Sequence, residues 1–323
     1  MKAIVVSKHG GPEELNLRDV PEPVPGPDQV LIRVVTTGVN FADIMSRQGR
    51  FQKNVPFIPG TDVSGVIEQI GENVSNLQVG QHVMAFSATG SYAEKVVADS
   101  SMTFHIPESI DFDLAGAMLV VGTTAYNIVM NVAKIKKGES VLIHAAAGGV
   151  GSTAIQLAKL QGATKIIGTV GSNDKIQFVK DLGADEVINY REENFAERVL
   201  SLTDGKGVDV ILDSVSGDVF EQGLNCLAIR GRIVVYSHAG GRSGTVTTSQ
   251  LNPGSRSILG YSMRNNSPEE TIQTVNIVIK LIQNGDIRFI IGKKFDLSQA
   301  YEAHQWVENR QNIGKTLIKI KNA

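Results

Sequence analysis

The stretch that most constrains the fold is VLIHAAAGGVG, residues 141–151. A short apolar run leads directly into a glycine-rich turn, and a helical spacing of apolar residues follows. The turn departs from a full GxGxxG pattern because Ala146 takes the first glycine position, before Gly148 and Gly151. Glycines let the backbone approach phosphates closely, and a helix N-terminus offers free N–H groups with partial positive charge. The segment therefore predicts a site for a dinucleotide pyrophosphate, although an ordinary strand-to-helix loop has the same outline.

The residues after this turn alternate between strand and helix patterns. Strands are predicted at 165–170, 186–189, 208–212, 232–236 and 257–261, and helices at 174–182, 192–202 and 219–228. Such alternation is typical of an α/β fold, a doubly wound parallel sheet whose ligands bind at the carboxyl ends of the strands. The predicted site comprises the turn and the residues that follow the strands: Ala147, Gly148, Gly149, Val150, Gly151, Gly171, Ser172, Tyr190, Ser214, Tyr236 and Ser237.

The end of the second of these strands indicates which dinucleotide is bound. Folds that bind NAD place an acidic residue about 20 residues after the glycine turn, where it accepts a hydrogen bond from the ribose 2′-hydroxyl. Here Gly171 and Ser172 occupy that place, Lys175 adds a cation, and Tyr190 can close over the same group. Small residues, donors and positive charge suit a 2′-phosphate, so we predict NADPH rather than NADH. Asp174 argues against this choice, but an acid in a first helical turn is also favourable in itself.

Composition excludes several classes of function. At 323 residues the chain is long enough for two domains with separate cores. Its formal net charge of -2, with no basic stripe, argues against nucleic acid or an anionic membrane as a partner. We expect no membrane-spanning run and no signal peptide, and hence a cytoplasmic protein. The single cysteine, Cys226, lies in an apolar pattern and is predicted to be a buried structural thiol.

The flanking regions read differently from the middle. Strand candidates in the first 120 residues are 2–7, 15–20, 29–37, 63–70, 81–86 and 93–98, and a short helix is predicted at 41–47. Near the C-terminus we predict a helix from Pro268 to Asn284, a second helix after Ser298, and a closing strand at 315–320. A β-rich region therefore precedes the α/β region, and the tail is again α/β.

Six segments together resemble the quinone oxidoreductases, ζ-crystallin-like members of the medium-chain dehydrogenase/reductase superfamily. They are GVNFADIMSRQG (38–49), PGTDVSGVI (59–67), GTTAY (122–126), HAAAGGVG (144–151), GTVGS (168–172) and INYRE (188–192). The likeness covers essentially the whole chain. It implies a GroES-like catalytic domain over 1–122 and 264–323, a Rossmann NADP-binding domain over 123–263, and an active site in a cleft.

The resemblance also implies that the chain uses no zinc. Zinc alcohol dehydrogenases of the superfamily place their ligands at the positions held here by Asn40, Thr61 and Asp62, and the cysteines of the structural zinc lobe are absent as well. Zinc catalysis needs three strong ligands and an open position. Without a Lewis acid nothing stabilises an alkoxide, whereas a quinone or an enone accepts hydride with only hydrogen bonds to the developing oxyanion.

Asn40 and Asp43 are the candidate catalytic residues. The Asn40 amide can donate to a substrate oxygen or to the nicotinamide ribose, although it is equally suited to cap the helix at 41–47. Asp43 lies on the same helix face and can orient Asn40 or a ribose hydroxyl, and Arg47 follows at a spacing that allows it to pair with Asp43. Many relatives carry tyrosines where this chain has Met45 and Phe51. Neither methionine nor phenylalanine can donate a proton, so we expect solvent to be the proton source.

Further cofactor contacts and the assembly follow from the resemblance alone. It implies that the cofactor is bound by Asn40, Thr124, Tyr236, Ser237, Leu259, Tyr261 and Asn312. It also implies a homodimer, for which we expect the stretch 255–260 to form the contact.

The sequence thus predicts an NADPH-dependent, zinc-independent quinone reductase. Two alternatives stay open at this point. One is an alkene reductase that acts on enones or alkenals, and the other is an NADPH-binding protein with little catalysis.

Overall fold

The computed structural model describes residues 1–51 and 54–320. The strands are β1 (Lys2–Val6), β2 (Leu15–Asp19), β3 (Gln29–Val39), β4 (Asp62–Ile70), β5 (His82–Ser87), β6 (Lys95–His105), β7 (Ser140–Ile143), β8 (Lys165–Val170), β9 (Glu186–Asn189), β10 (Val208–Asp213), β11 (Leu227–Val235), β12 (Ser257–Gly260), β13 (Ile291–Asp296) and β14 (Lys315–Lys319).

The α-helices of the described residues are α1 (Phe41–Arg47), α2 (Phe112–Tyr126), α3 (Gly149–Leu160), α4 (Ile176–Asp181), α5 (Phe195–Leu202), α6 (Asp218–Gly223), α7 (Thr248–Leu251), α8 (Pro268–Gln283) and α9 (Ala300–Glu308). Helix α2 continues as a π-helical segment, Asn127–Val132.

The chain divides into two compact units. Unit 1 consists of Met1–Val120 and Phe289–Ala323, and unit 2 of Val121–Arg288. The expected second boundary at residue 264 differs from this division, because helix α8 belongs to unit 2. A physical reason is visible inside unit 2, where the Gln156 side chain donates to the Arg288 carbonyl at 2.9 Å and accepts from the Arg288 N–H at 2.9 Å.

Unit 1 is built on a six-stranded sheet in the order β13-β14-β3-β4-β5-β6, in which β3 also pairs with β6. Strands β1 and β2 form a separate antiparallel pair. The core of this unit gathers apolar residues from the sheet and from α9, including Val34, Ile67 and Ala303. The returning C-terminal segment contributes β14, which pairs antiparallel with β3.

Unit 2 contains a six-stranded parallel sheet in the order β12-β11-β10-β7-β8-β9. The predicted α/β class and parallel sheet are confirmed. The strand order reverses between β7 and β10, which is where ligands of such sheets bind. Its core lies around Leu142, Ile167 and Ile211, which are buried on the central strands.

Several predicted bounds are wrong for local reasons. The helix expected at 219–228 ends at Gly223, and Leu227 joins the sheet because it pairs with Val208 of β10. The helix expected from residue 192 begins at Phe195, since the Asn194 side chain accepts from two N–H groups of the first turn. Strand β6 runs on to His105, which pairs with Val83, rather than ending at 98.

One helical segment meets the length and composition criteria for crossing a membrane. Among the described residues, Phe112–Val132 is long and apolar enough to cross a membrane by length and composition. However, 67% of its apolar window is buried inside the protein, and a core helix of a globular fold passes the same test.

Candidate functional site

The glycine turn joins β7 to α3 as the sequence predicts. Gly148 stands before α3 in an extended conformation, with no side-chain cap in the described part of the chain. A Cβ on Gly151 would lie 2.5 Å from the carbonyl oxygen of Ala145, so only glycine fits this approach of helix to turn. Ala147 and Gly148 lie in the turn, and Gly149 and Val150 begin the helix. Helix α3 has 12 residues, and the N–H groups of its first turn are available to an anion.

The ends of β8 and β9 meet beside that turn. A Cβ on Gly171 would lie 2.7 Å from the Tyr190 hydroxyl, so the two predicted residues are close neighbours. The loops that follow the strands are also joined by the Asn189 side chain, which donates to Asn173 Oδ1 at 2.8 Å. Ser172 is the second residue after β8 and precedes a 3-10 turn, Asn173–Lys175.

Lys175 is a buried cation in this region, not the solvated helix lysine that its position suggests. It is 6% exposed, and burial is the main cause that lowers the pKa of its ammonium, with Asp174 opposing and Arg191 adding to the shift. An ammonium that has lost water is stabilised by a nearby anion. A phosphate beside Lys175 would add to the negative charge that Asp174 already places near it.

Four further predicted residues lie at the ends of β11 and β12. Tyr236 and Ser237 follow β11, and the Tyr236 N–H donates to the Asp213 carbonyl at 3.0 Å. Leu259 lies in β12, and the Tyr261 N–H donates to the Val235 carbonyl at 3.0 Å. These contacts place all four at the carboxyl end of the sheet.

Two residues at the same edge were missed by sequence reasoning. Asp213 ends β10, and its Oδ1 accepts from the N–H groups of Val215 and Ser216 at 2.7 and 2.9 Å. Its Oδ2 and the Nε2 of His144 are buried and have no hydrogen-bond partner among the described residues. His144 is hydrogen-bonded through Nδ1 to Thr169 Oγ1 at 3.0 Å, and burial lowers its pKa. An acid that ends a strand of a parallel sheet is the signal that would have identified Asp213.

Asn40 and Asp43 lie in unit 1, at the start of α1. The backbone N–H of Asn40 donates to Asp43 Oδ2 at 2.9 Å, so Asp43 holds Asn40 at the helix N-cap position. The Asn40 side chain is engaged elsewhere: its Nδ2 donates to Asp62 Oδ1 at 2.7 Å, and its Oδ1 accepts from the ammonium of Lys315. Asn40 thus occupies the predicted N-cap position, where its backbone N–H and not its side chain makes the contact, and the role of its amide toward an acceptor or the cofactor stays a prediction.

A series of hydrogen-bonded, buried polar side chains connects α1 to α9. The Tyr92 hydroxyl donates to Asp43 Oδ2 at 3.3 Å and lies 3.1 Å from His304 Nε2. His304 Nδ1 lies 3.4 Å from Arg47, which is fully buried and forms an ion pair with Glu308 at 2.8 Å. The ion pair of Arg47 is therefore with Glu308 of α9, whereas the sequence suggested a pair with Asp43.

Two predicted cofactor residues lie apart from these groups along the chain. Thr124 is half-buried within α2, in unit 2. Asn312 lies in unit 1, in the loop before β14, where its Nδ2 donates to the Gly314 carbonyl at 3.3 Å. Their cofactor roles stay predictions.

The three positions that would hold zinc ligands carry a different donor set. Asn40 and Asp62 bind each other and the Lys315 ammonium, and Thr61 accepts the Ser87 N–H through its carbonyl at 2.7 Å. Among residues 1–51 and 54–320, no three His, Cys, Asp or Glu residues form a group able to hold a metal ion.

Both halves of the chain match known protein families. Residues 26–108 match the family model of the alcohol dehydrogenase GroES-like domain. Residues 149–281 match that of the zinc-binding dehydrogenases. These two matches lie in the β-rich unit and in the unit with the parallel sheet, respectively.

Relatives align along nearly the full chain. A quinone oxidoreductase of Pseudomonas aeruginosa is 37% identical over 327 residues, which cover 98% of this chain and 99% of the relative. The structure of Escherichia coli quinone oxidoreductase complexed with NADPH superposes with a TM-score of 0.94 at 34% identity, covering 99% of this chain and 100% of the other. A mycobacterial protein complexed with NADPH gives the same TM-score, identity and coverage.

Proposed function

Because this chain belongs to the quinone oxidoreductases of the medium-chain dehydrogenase/reductase superfamily, we propose that it reduces quinones at the expense of NADPH. The observation that carries the proposal is the glycine turn at the carboxyl edge of the parallel sheet. Gly151 packs closely on Ala145, and among the described residues no side chain caps the start of α3. That geometry suits a pyrophosphate.

The residues of unit 2 fit the adenosine half of NADPH. Ala147, Gly149 and Val150 are assigned to offer N–H groups to the pyrophosphate, whereas the Gly148 N–H already donates to the Ala145 carbonyl at 2.9 Å and Gly148 serves by its lack of a side chain. At the ends of β8 and β9 a small residue, Gly171, lies beside the hydroxyl of Tyr190, and the buried cation Lys175 lies in the turn that follows β8. We assign the 2′-phosphate to Ser172, Lys175 and Tyr190.

The remaining predicted cofactor residues are assigned to the nicotinamide half of NADPH. Tyr236, Ser237, Leu259 and Tyr261, together with Thr124, are assigned to the nicotinamide half, and Asn40 and Asn312 are assigned to it from unit 1. NADPH, when bound, supplies the hydride. The task of the protein is to bind the cofactor, exclude water and stabilise charge on the acceptor oxygen.

Asn40 is the residue assigned to that last task. It is 7% exposed, and an amide N–H held in place stabilises a developing oxyanion without reorganising during the reaction. Asp43 positions it by accepting its backbone N–H. Met45 is buried and Phe51 is 37% exposed, and neither can donate a proton, so the proton that completes the reduced quinone comes from solvent.

The proposal includes independence from zinc. The supporting observation is the donor set: Asn40 and Asp62 are already bound to each other and to a protein ammonium, and a neutral amide is a poor zinc ligand. Reduction of a quinone needs only hydrogen bonds to its oxygen, so the reaction does not require a Lewis acid.

We further propose a cytoplasmic homodimer. Strand β12 is the outermost strand of the parallel sheet. In the part of the chain that the structure describes, only one of its edges pairs with a strand of this sheet, so the other edge is available to a second copy. Pairing of this edge in a second copy would join the two sheets. Light scattering on the purified protein tests this, and a monomeric mass at micromolar concentration would refute it.

The experiment that tests the function is steady-state oxidation of NADPH at 340 nm with 9,10-phenanthrenequinone, 1,4-benzoquinone and trans-2-hexenal, with NADH run in parallel. We expect turnover of the quinones with NADPH. Turnover of the enal alone would assign the protein to the alkene reductases. Tight NADPH binding without turnover of any acceptor would make it a binding protein.

A further inference from the structure

Lys315 is a buried lysine that the proposed reaction does not yet use. It begins β14, whose next residue, Thr316, pairs with Val39 of β3, so the ladder brings Lys315 beside Asn40. Its side chain is 3% exposed. The ammonium donates to Asn40 Oδ1 and lies 3.5 Å from Asp62 Oδ2.

These contacts determine which way the Asn40 amide points. The two ends of an asparagine amide are alike in size, so their assignment rests on the hydrogen-bond partners. An ammonium can only donate and an ionised carboxylate can only accept. Oδ1 must therefore face Lys315, and Nδ2 must face Asp62, to which it donates at 2.7 Å. Within residues 1–51 and 54–320, the second N–H of the amide has no hydrogen-bond partner.

The path of the lysine side chain is also built into the fold. A Cβ on Gly38 would lie 2.5 Å from Lys315 Cε and 2.9 Å from Asp62 Oδ1, so the absence of a side chain at residue 38 admits both groups. Asp43 fixes the backbone of Asn40 from the other side. The side-chain amide is thus held at two points, and the backbone of the same residue at a third.

We propose that Lys315 and Asp62 are positioning residues that lock the Asn40 amide so that its second N–H is presented to the oxygen of the acceptor. The inference rests on the proposed function, in which Asn40 stabilises that oxygen. The ammonium also polarises the amide carbonyl, which strengthens its N–H groups as donors. Lys315 acts through Asn40 and needs no contact with the acceptor.

The test in turnover uses a pair of substitutions that keeps the site neutral. Lys315→Met alone leaves the buried Asp62 carboxylate without its cation, so we combine it with Asp62→Asn. For the double variant we expect kcat with 1,4-benzoquinone to fall by about 10-fold or more, because a misaimed oxyanion donor is largely lost. NADPH affinity, measured by quenching of protein fluorescence, should change by less than about 3-fold. Lys319→Met, in the same strand and also removing an ion pair, is the matched control and should leave kcat unchanged.

A double-mutant cycle separates positioning from a general loss of structure. In an Asn40→Ala background, adding Lys315→Met and Asp62→Asn should lower kcat no further, because the pair acts through the amide that is already gone. A kcat of wild-type size in the double variant, or equal losses in both backgrounds, would overturn the proposal.

A readout without turnover keeps this inference distinct from the proposed function. In protein labelled with 15N-asparagine, Asn40→Ala identifies the Asn40 side-chain signal. We expect two resolved amide protons in the wild-type protein, of which the one bonded to Asp62 exchanges slowly with solvent. Two protons that exchange rapidly would overturn the lock in the wild-type protein itself, whatever any variant does. If quinone turnover fails while this signal is as expected, the function is wrong and the lock stands.

Discussion

The hydroxyl of Tyr190 lies so close to Gly171 that a Cβ added to the glycine would be only 2.7 Å from it. The contact joins the ends of β8 and β9, and Lys175 is buried within the turn that follows β8. The three residues thus come from two loops at the edge where the second phosphate of NADPH is proposed to bind.

Lys175→Met should raise the KM for NADPH by about 10- to 100-fold, since a charge-assisted hydrogen bond to phosphate contributes roughly 1.5–3 kcal/mol. The KM for NADH, which has no 2′-phosphate, should change by less than about 3-fold. Lys180→Met, at an exposed position of α4, the helix that follows the turn containing Lys175, is the control. Equal losses with both cofactors would remove Lys175 from the phosphate site.

Gly151→Ala should weaken NADPH binding and lower the melting temperature, because the new methyl group would lie 2.5 Å from a backbone oxygen that cannot move away cheaply. Gly223→Ala is the matched control: its Cβ would meet only the ends of two isoleucines, at 3.4 and 3.8 Å, inside a helix. That control should bind NADPH normally. Calorimetric titration of both variants decides, and normal affinity in Gly151→Ala would contradict the close packing of turn and helix.

Arg47→Met should lower the free energy of unfolding by about 3–5 kcal/mol, because it leaves Glu308 and the groups around it without a fully buried partner. Arg242→Met removes exposed ion pairs with Asp218 and Glu221 and should leave the free energy of unfolding nearly unchanged. Urea unfolding measures both variants. If Arg47→Met lowered the free energy of unfolding as little as the control does, the buried polar groups that connect Tyr92 to Glu308 would not stabilise α1.

Acid should destabilise the protein partly through His304. Burial, and then the charge of Arg47, lower the pKa of its imidazole from 6.5 to about 3. Below pH 6.5 the unfolded chain binds a proton that the native state does not, so this contribution to stability is complete above pH 6.5 and is lost as pH falls towards 3, at about 1.4 kcal/mol per pH unit.

His304→Gln should abolish that share of the slope. Between pH 6 and 4, stability measured by urea unfolding should fall less steeply in His304→Gln than in the wild-type protein, by about 1.4 kcal/mol per pH unit. The exposed His105 supplies the control substitution, His105→Gln, which should follow the wild-type slope. Identical slopes for His304→Gln and wild type would show that His304 is protonated in the native state.

The Cys226 thiol should be inert in the native protein. It is fully buried, and burial raises its pKa to about 12, so almost no thiolate is present at pH 8. A disulfide reagent such as DTNB should label it only after unfolding in guanidinium. Labelling of the native protein on mixing would contradict the buried, structural role.

Local features of the site were predictable, and those that depend on distant contacts were not. The turn before Gly151, the helix over 41–47 and the parallel order of strands follow from neighbouring residues, whose spacing and turn chemistry act over a few positions. Lys315 is different: 275 residues separate it from Asn40, and nothing in its own segment indicates that β14 lies beside β3. A lysine at the start of a strand is ordinarily a surface charge, and only the pairing of the strands buries this one.

The same distinction explains the errors in the element bounds. Leu227 and Ala228 continue a helical apolar pattern, but both belong to β11, in which Leu227 pairs with Val208 of β10. His304 has no ligand spacing in the sequence, and its place between Tyr92 and Arg47 depends on α9 folding back within unit 1. Tertiary pairing overrides local preference at both places.

The measurement that tests the central claim most directly is NADPH oxidation by 1,4-benzoquinone with protein whose zinc content has been determined by mass spectrometry after dialysis against EDTA. The account predicts full turnover with far less than one zinc atom per chain. Turnover that disappears with the metal and returns when zinc is added would contradict it.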